Sequence, residues 1–178
     1  LGKLDIESQE RAGKVRLILL DADGVLTDGR ITMSSDGSEI RSFHVQDGFG
    51  IRLGRQAGLE FGILSGRASP VLERRAEELG ITEVHQGILD KAGRFQEILQ
   101  RLDIPAEFVC FVGDDLIDLP VMRRSGFAVA TADAQPDVRE GAHYVTERRG
   151  GEGAVREVVD IVLRASGKWN EVTQPFLE

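Results

Sequence analysis

Hydrophobic positions along this chain fall into short runs separated by longer amphipathic stretches. Residues 15–20 are apolar except for Arg16 and are followed by Asp21-Ala22-Asp23-Gly24. A run that short and that apolar reads as a strand buried on both faces of a parallel sheet. Comparable runs at 59–64, 83–85, 108–112, 126–130 and 143–145 predict five more strands. Between them, apolar residues recur at helical spacing over 46–57, 71–79, 90–102, 116–124 and 153–165. Gly58 and Gly80 close the first two of these helices, and Ser69-Pro70 opens the second. Two extended segments, 30–33 and 39–45, flank Ser34-Ser35-Asp36-Gly37 and predict a hairpin. Residues 1–14 suit a short helix or a frayed arm, and 166–178 carry Trp169 and Phe176 without a regular period.

Strands that alternate with helices predict an α/β fold with right-handed crossovers. The expected architecture is a three-layer α/β sandwich with a mainly parallel, Rossmann-like sheet and a small β-hairpin insertion. The organisation expected is an arm over 1–14, one domain over 15–165 with the hairpin at about 30–45, and a tail over 166–178. Ligands of open α/β sheets bind beyond the carboxyl ends of the strands. The polar residues that follow the first, second and fourth strands are therefore the place to look for chemistry.

Asp21 and Asp23 leave the first strand two residues apart, so both carboxylates can face one ligand. Two such groups repel unless a cation lies between them or one holds a proton. They suit a nucleophile and a general acid, or simply a loop capped by aspartates. After the fourth strand comes Gly113-Asp114-Asp115-Leu116-Ile117-Asp118. Mg²⁺ takes oxygen ligands and commonly one or two carboxylates, so Asp114 can join Asp21 around such an ion, with Asp115 and Asp118 behind it. Helix capping explains one of these aspartates well and three poorly. Ser65-Gly66-Arg67 follows the second strand and offers a hydroxyl, free N–H groups and a guanidinium to an anion. Lys91 opens a helix, where its charge opposes the helix dipole, a reason to expect a phosphate nearby.

The net charge of −8, from 22 basic and 30 acidic residues, disfavours nucleic acid as a partner. No stretch resembles a membrane span or a signal peptide, and the one cysteine, Cys110, suits a reducing compartment, so a cytoplasmic location is expected. His44, His85 and His143 have no metal-ligand spacing.

The order Asp-x-Asp, Ser, Lys, Gly-Asp-Asp-x-x-Asp, each at a strand end or helix start, resembles the four signature motifs of the haloacid dehalogenase superfamily of aspartate-nucleophile phosphotransferases. The resemblance spans about 15–165. It implies that Asp21 is the nucleophile and that Asp23 is the general acid/base, whose carbonyl also reaches Mg²⁺. Ser65, Gly66 and Lys91 would then hold the phosphoryl group, and Asp114 would complete the metal site. Asp118 would position Lys91 or a metal-bound water. Only 41, 25 and 22 residues separate the successive motifs, which leaves no room for a cap domain. Within the capless branch, DADGVLTDG at 21–29, VQDGFG at 45–50 and GGEGAVRE at 150–157 resemble Mg²⁺-dependent phosphatases of an eight-carbon, phosphorylated 3-deoxy sugar acid. That branch implies an aspartyl-phosphate intermediate, a role in lipopolysaccharide precursor synthesis, and a homotetramer joined through the hairpin. Arg67 is the first candidate for the substrate carboxylate and Arg156 the second. Two other readings compete: a nine-carbon sugar-acid phosphate as substrate, and a phospho-accepting receiver module. The receiver requires an aspartate after the third strand, where this chain has Gln86-Gly87.

Overall fold

The computed structural model describes residues 4–177; Leu1, Gly2 and Lys3 of the expected arm and Glu178 of the tail lie outside them. In chain order the elements begin with α1 (Ile6–Gly13), β1 (Leu17–Leu20), β2 (Thr32–Met33), β3 (Glu39–Ile40) and α2 (Val45–Gln56). They continue with β4 (Glu60–Leu64), α3 (Pro70–Leu79), β5 (Glu83–His85), α4 (Lys91–Leu102) and β6 (Val109–Gly113). The last are α5 (Leu119–Met122), β7 (Phe127–Ala130), α6 (Pro136–Glu140), β8 (Tyr144–Val145), α7 (Ala154–Ala165) and α8 (Trp169–Thr173). Six strands form one parallel sheet in the order β5-β4-β1-β6-β7-β8, while β2 and β3 form a separate antiparallel pair.

β1 lies centrally and is buried at all four positions. Its alternate residues feed two cores. Ile18 and Leu20 join Ile63, Val112, Phe127 and the apolar faces of α2, α3 and α7. Leu17 and Leu19 join Phe111, Phe95 and Ile98 of α4, and Val121 and Met122 of α5. Burial on both faces is why the strand reads as a continuous apolar run rather than an alternating one. The expected three-layer sandwich is the observed fold.

Several local expectations need correction. The hairpin ladder is short, pairing only Thr32 with Ile40 and Met33 with Glu39. The helix expected over 116–124 is a 3₁₀ turn at Leu116–Asp118 followed by α5. Pro120 sits in the first turn of α5, where its missing N–H has no partner to lose. α6 escaped the sequence reading because five residues are too few to show a period, although Val138 is buried. The irregular tail is in fact α8 and a 3₁₀ turn at Gln174–Phe176. Tertiary contacts hold it: Val172 is buried, the Arg164 guanidinium lies 3.9 Å from the Trp169 ring, and Phe176 meets Phe49 edge-on at 5.4 Å. The first segment is helical from Ile6, with Asp5 capping the Ser8 N–H at 2.7 Å.

Candidate active site

The register of the sheet aligns three strand ends. Leu20 pairs with Ile63 of β4 and Val112 of β6, and the Asp21 N–H donates to the Val112 carbonyl at 3.0 Å. Asp21, Ser65 and Asp114 therefore leave the sheet side by side. Beyond Asp21 the chain makes a tight loop over Ala22–Leu26, closed by the Thr27 N–H on the Ala22 carbonyl at 3.1 Å. Gly24 has φ +91°, a conformation that favours glycine, and a Cβ there would also overlap the Asp114 carboxylate. The GGEG segment presses on this loop from the far side. The Gly151 N–H donates to the Val25 carbonyl at 3.0 Å, and a Cβ on Gly150 would run into the Gly24 carbonyl.

Lys91 reaches the same place from the start of α4. Its side chain is 1% exposed, and Nζ donates to Asp21 Oδ1 and Asp118 Oδ1, each at 2.7 Å. Those carboxylates offset the unfavourable helix-end position that marked this lysine. Asp118 is fully buried, and its Oδ2 accepts the backbone N–H groups of Asp114 at 3.0 Å and Asp115 at 3.3 Å. One aspartate thus fixes both the lysine and the loop after β6.

Ligand atoms of Asp21, Asp114 and Asp118 lie within 4.8 Å of one another. Burial first, then the charge of Asp118, raises the Asp21 pKa to about 6, although Lys91 pulls the other way. Burial, with Asp21 and Asp118 beside it, raises Asp114 to about 8. Burial lowers the Lys91 pKa, but Asp21 and Asp118 outweigh it and leave the ammonium favoured. One lysine cannot balance three carboxylates, and Asp114 Oδ1 is buried with no hydrogen-bond partner. An oxygen-only donor set with surplus negative charge and a bare buried oxygen fits a hard divalent cation such as Mg²⁺. Asp118 already spends both oxygens on Lys91 and the backbone, so Asp21 and Asp114 are the carboxylates open to it.

The Asp23 carboxylate stands apart from this trio. Its Oδ1 accepts Arg41 Nη1 at 2.6 Å. Arg41 also pairs through Nε with Glu39, whose Oε1 lies 4.0 Å from Arg67 Nη2. Arg41 and Glu39 were missed by sequence reasoning, since no local pattern ties a hairpin arginine to a carboxylate 18 residues away. The only hint was their two-residue spacing, which puts both side chains on one side of an extended chain.

The remaining predicted residues divide. Ser65 is buried at the end of β4, where its Oγ accepts the Arg67 N–H at 3.2 Å; a Cβ on Gly66, which follows it, would make ordinary contact with Ile117 and the Ile88 carbonyl. Arg67 is exposed. Asp115 is also exposed, and its carboxylate accepts the Leu116 N–H at 2.7 Å instead of facing the cluster. Arg156 is directed elsewhere: it pairs with Asp160 at 2.7 Å and its guanidinium lies over Phe49. Burial pushes the Cys110 thiol pKa far up, so it is inert core.

A parallel α/β sheet whose strand ends gather two aspartates, a serine, a lysine and a further acidic loop defines a phosphoryl-transfer site of the haloacid dehalogenase type. The model of the haloacid dehalogenase-like hydrolase family matches residues 70–158, and the chain belongs to that family. Over 170 residues it is 45% identical to the 3-deoxy-D-manno-octulosonate 8-phosphate phosphatase of Escherichia coli K12, covering 96% of this chain and 90% of that one. The crystal structure of the phosphatase of that name from Yersinia pestis superposes with a TM-score of 0.91 at 45% identity, over 92% of this chain and 89% of that one. The corresponding Moraxella catarrhalis structure, in complex with magnesium, phosphate and KDO, gives a TM-score of 0.94 at 36% identity, over 96% and 98% of the two chains.

Proposed function

We propose that this protein is a Mg²⁺-dependent phosphatase that hydrolyses 3-deoxy-D-manno-octulosonate 8-phosphate, an intermediate of lipopolysaccharide precursor synthesis, to the sugar acid and inorganic phosphate. The observation that carries the chemistry is the hold of Lys91 on Asp21. It orients one carboxylate oxygen and leaves Oδ2 to attack phosphorus. In the first step an electron pair of Asp21 forms the new P–O bond, the ester P–O bond breaks, and Asp23 gives its proton to the departing C8 oxygen. In the second step Asp23 takes a proton from water, whose oxygen attacks the aspartyl-phosphate and releases phosphate and the free Asp21 carboxylate. Ser65, the backbone N–H groups after Asp21 and Lys91 bind the phosphoryl oxygens through the loose transition state. Magnesium, when bound by Asp21, Asp114 and the Asp23 carbonyl, supplies the positive charge that offsets the phosphate and the carboxylates.

Arg67, exposed beside Ser65, is the first candidate for the sugar-acid carboxylate; its exposure supports that reading. The hairpin carries Ile31, Met33 and Ile40 at 46%, 67% and 58% exposure, more apolar surface than such a short ladder needs. This supports a homotetramer joined there. Among the described residues no helix is long and apolar enough to cross a membrane, and the free cysteine fits a cytoplasmic enzyme.

Phosphate release from a panel of sugar phosphates, with and without Mg²⁺, tests the reading. The eight-carbon ester should be preferred over the nine-carbon one, and Asp21→Asn should lower kcat at least ~10³-fold. Turnover that survives the Asn change removes the nucleophile. Equal rates on every ester remove the substrate and leave the chemistry.

A further inference from the structure

We infer that Arg41, delivered by the hairpin, is a positioning residue that aims the Asp23 carboxyl group at the leaving oxygen. The inference rests on the phosphatase reading above and deepens it. Asp23 follows Asp21 on a loop whose backbone turns sharply at Gly24, so nothing local fixes its side chain. Among the described residues its hydrogen-bonded partner is Arg41 Nη1, at 2.6 Å to Oδ1. A guanidinium donor held on one oxygen fixes the carboxyl plane and leaves Oδ2 as the oxygen that exchanges a proton with the ester.

Arg41 is itself well held. Its side chain is 1% exposed, and Glu39, two residues earlier in β3, binds its Nε. A guanidinium held by two carboxylates has little freedom, which is what aiming a neighbour requires. Its third nitrogen, Nη2, is buried and has no hydrogen-bond partner. A purely structural buried arginine would be expected to have that donor satisfied, so the open donor sets this arginine apart from one that serves packing alone. The hairpin thereby acquires a task in the reaction: it carries the brace for the general acid.

The test separates aim from general loosening by changing the leaving group. A sugar alcohol is a poor leaving group and needs the proton from Asp23, whereas 4-nitrophenolate departs without it. The ratio kcat/KM covers steps up to ester cleavage, so it isolates this proton from the later attack by water. For Arg41→Gln we expect kcat/KM on the sugar-acid phosphate to fall about 10²-fold and that on 4-nitrophenyl phosphate to fall less than about 3-fold. Arg41→Lys keeps one charged donor without the fork and should discriminate in the same direction by about tenfold. It also decides the matter if Arg41→Gln does not fold. Equal losses on both esters, or no loss on either, overturn the role of Arg41. A wild-type protein that releases phosphate from neither ester overturns the phosphatase reading instead.

Discussion

Two buried acidic regions of this molecule invite comparison: the cluster at the strand ends and the clamp at the first turn of α7. In the clamp, Glu157 is 5% exposed, but the fold satisfies it fully. Its oxygens accept the Tyr144 hydroxyl at 2.8 Å and the backbone N–H groups of Glu147 and Arg148 at 2.9 and 3.0 Å. At the strand ends, Asp21, Asp114 and Asp118 crowd together, the one lysine pairs with Asp21 and Asp118, and an Asp114 oxygen is left bare. Both regions are buried and anionic, yet only the second holds charge the fold does not neutralise. A carboxylate that ends on backbone N–H groups is holding a loop in place. One that ends on other carboxylates is waiting for a ligand.

Stability measurements should pull the two regions apart. Glu157→Ala strands a tyrosine hydroxyl and two N–H groups and should cost about 2–4 kcal/mol by urea titration, while activity per folded molecule is retained. Were that variant as stable as wild type, the clamp would not be a clamp. Asp114→Asn should do the reverse in metal-free protein at neutral pH, raising the melting midpoint because the fold no longer has to protonate, or bury charged, a carboxyl group crowded by Asp21 and Asp118. Magnesium should stabilise the wild type, by about 2.7 kcal/mol at a hundred times its Kd, and should fail to stabilise Asp114→Asn. A metal-induced shift that persists in the variant would move the ion away from this trio.

The smallest effect concerns a half-buried base outside both regions. His143 Nδ1 accepts the Ala128 N–H at 2.8 Å, and burial, helped by Arg11, lowers the ring's pKa against the pull of Glu7 and Asp5. The unfolded chain binds the proton more readily, so this contribution is complete above the ordinary histidine pKa and is lost as pH falls through it. Between about pH 7.5 and 5.5 the wild type should lose more stability than His143→Gln. Identical pH slopes would show that the ring does not sense the proton.

Residue order alone carried a good deal of this picture. The apolar runs located all six strands of the main sheet, because a strand buried on both faces has a local signature and βαβ units follow from alternation. Asp21, Asp23, Ser65 and Asp114 were legible for the same reason: a polar residue just after such a run emerges at the sheet's carboxyl edge, where the parallel register aligns the strand ends; Lys91 stood out instead as a cation at a helix start. What the chain concealed depends on contacts between distant segments. Arg41 reaches Asp23 because a hairpin folds back over the first loop, and Glu157 collects N–H groups from the segment after β8. The tail becomes helical because Val172, Trp169 and Phe176 find α2 and α7. None of these is written in local spacing, because a hydrogen bond or a packed ring draws its energy from a partner whose place is set only when the layers have closed.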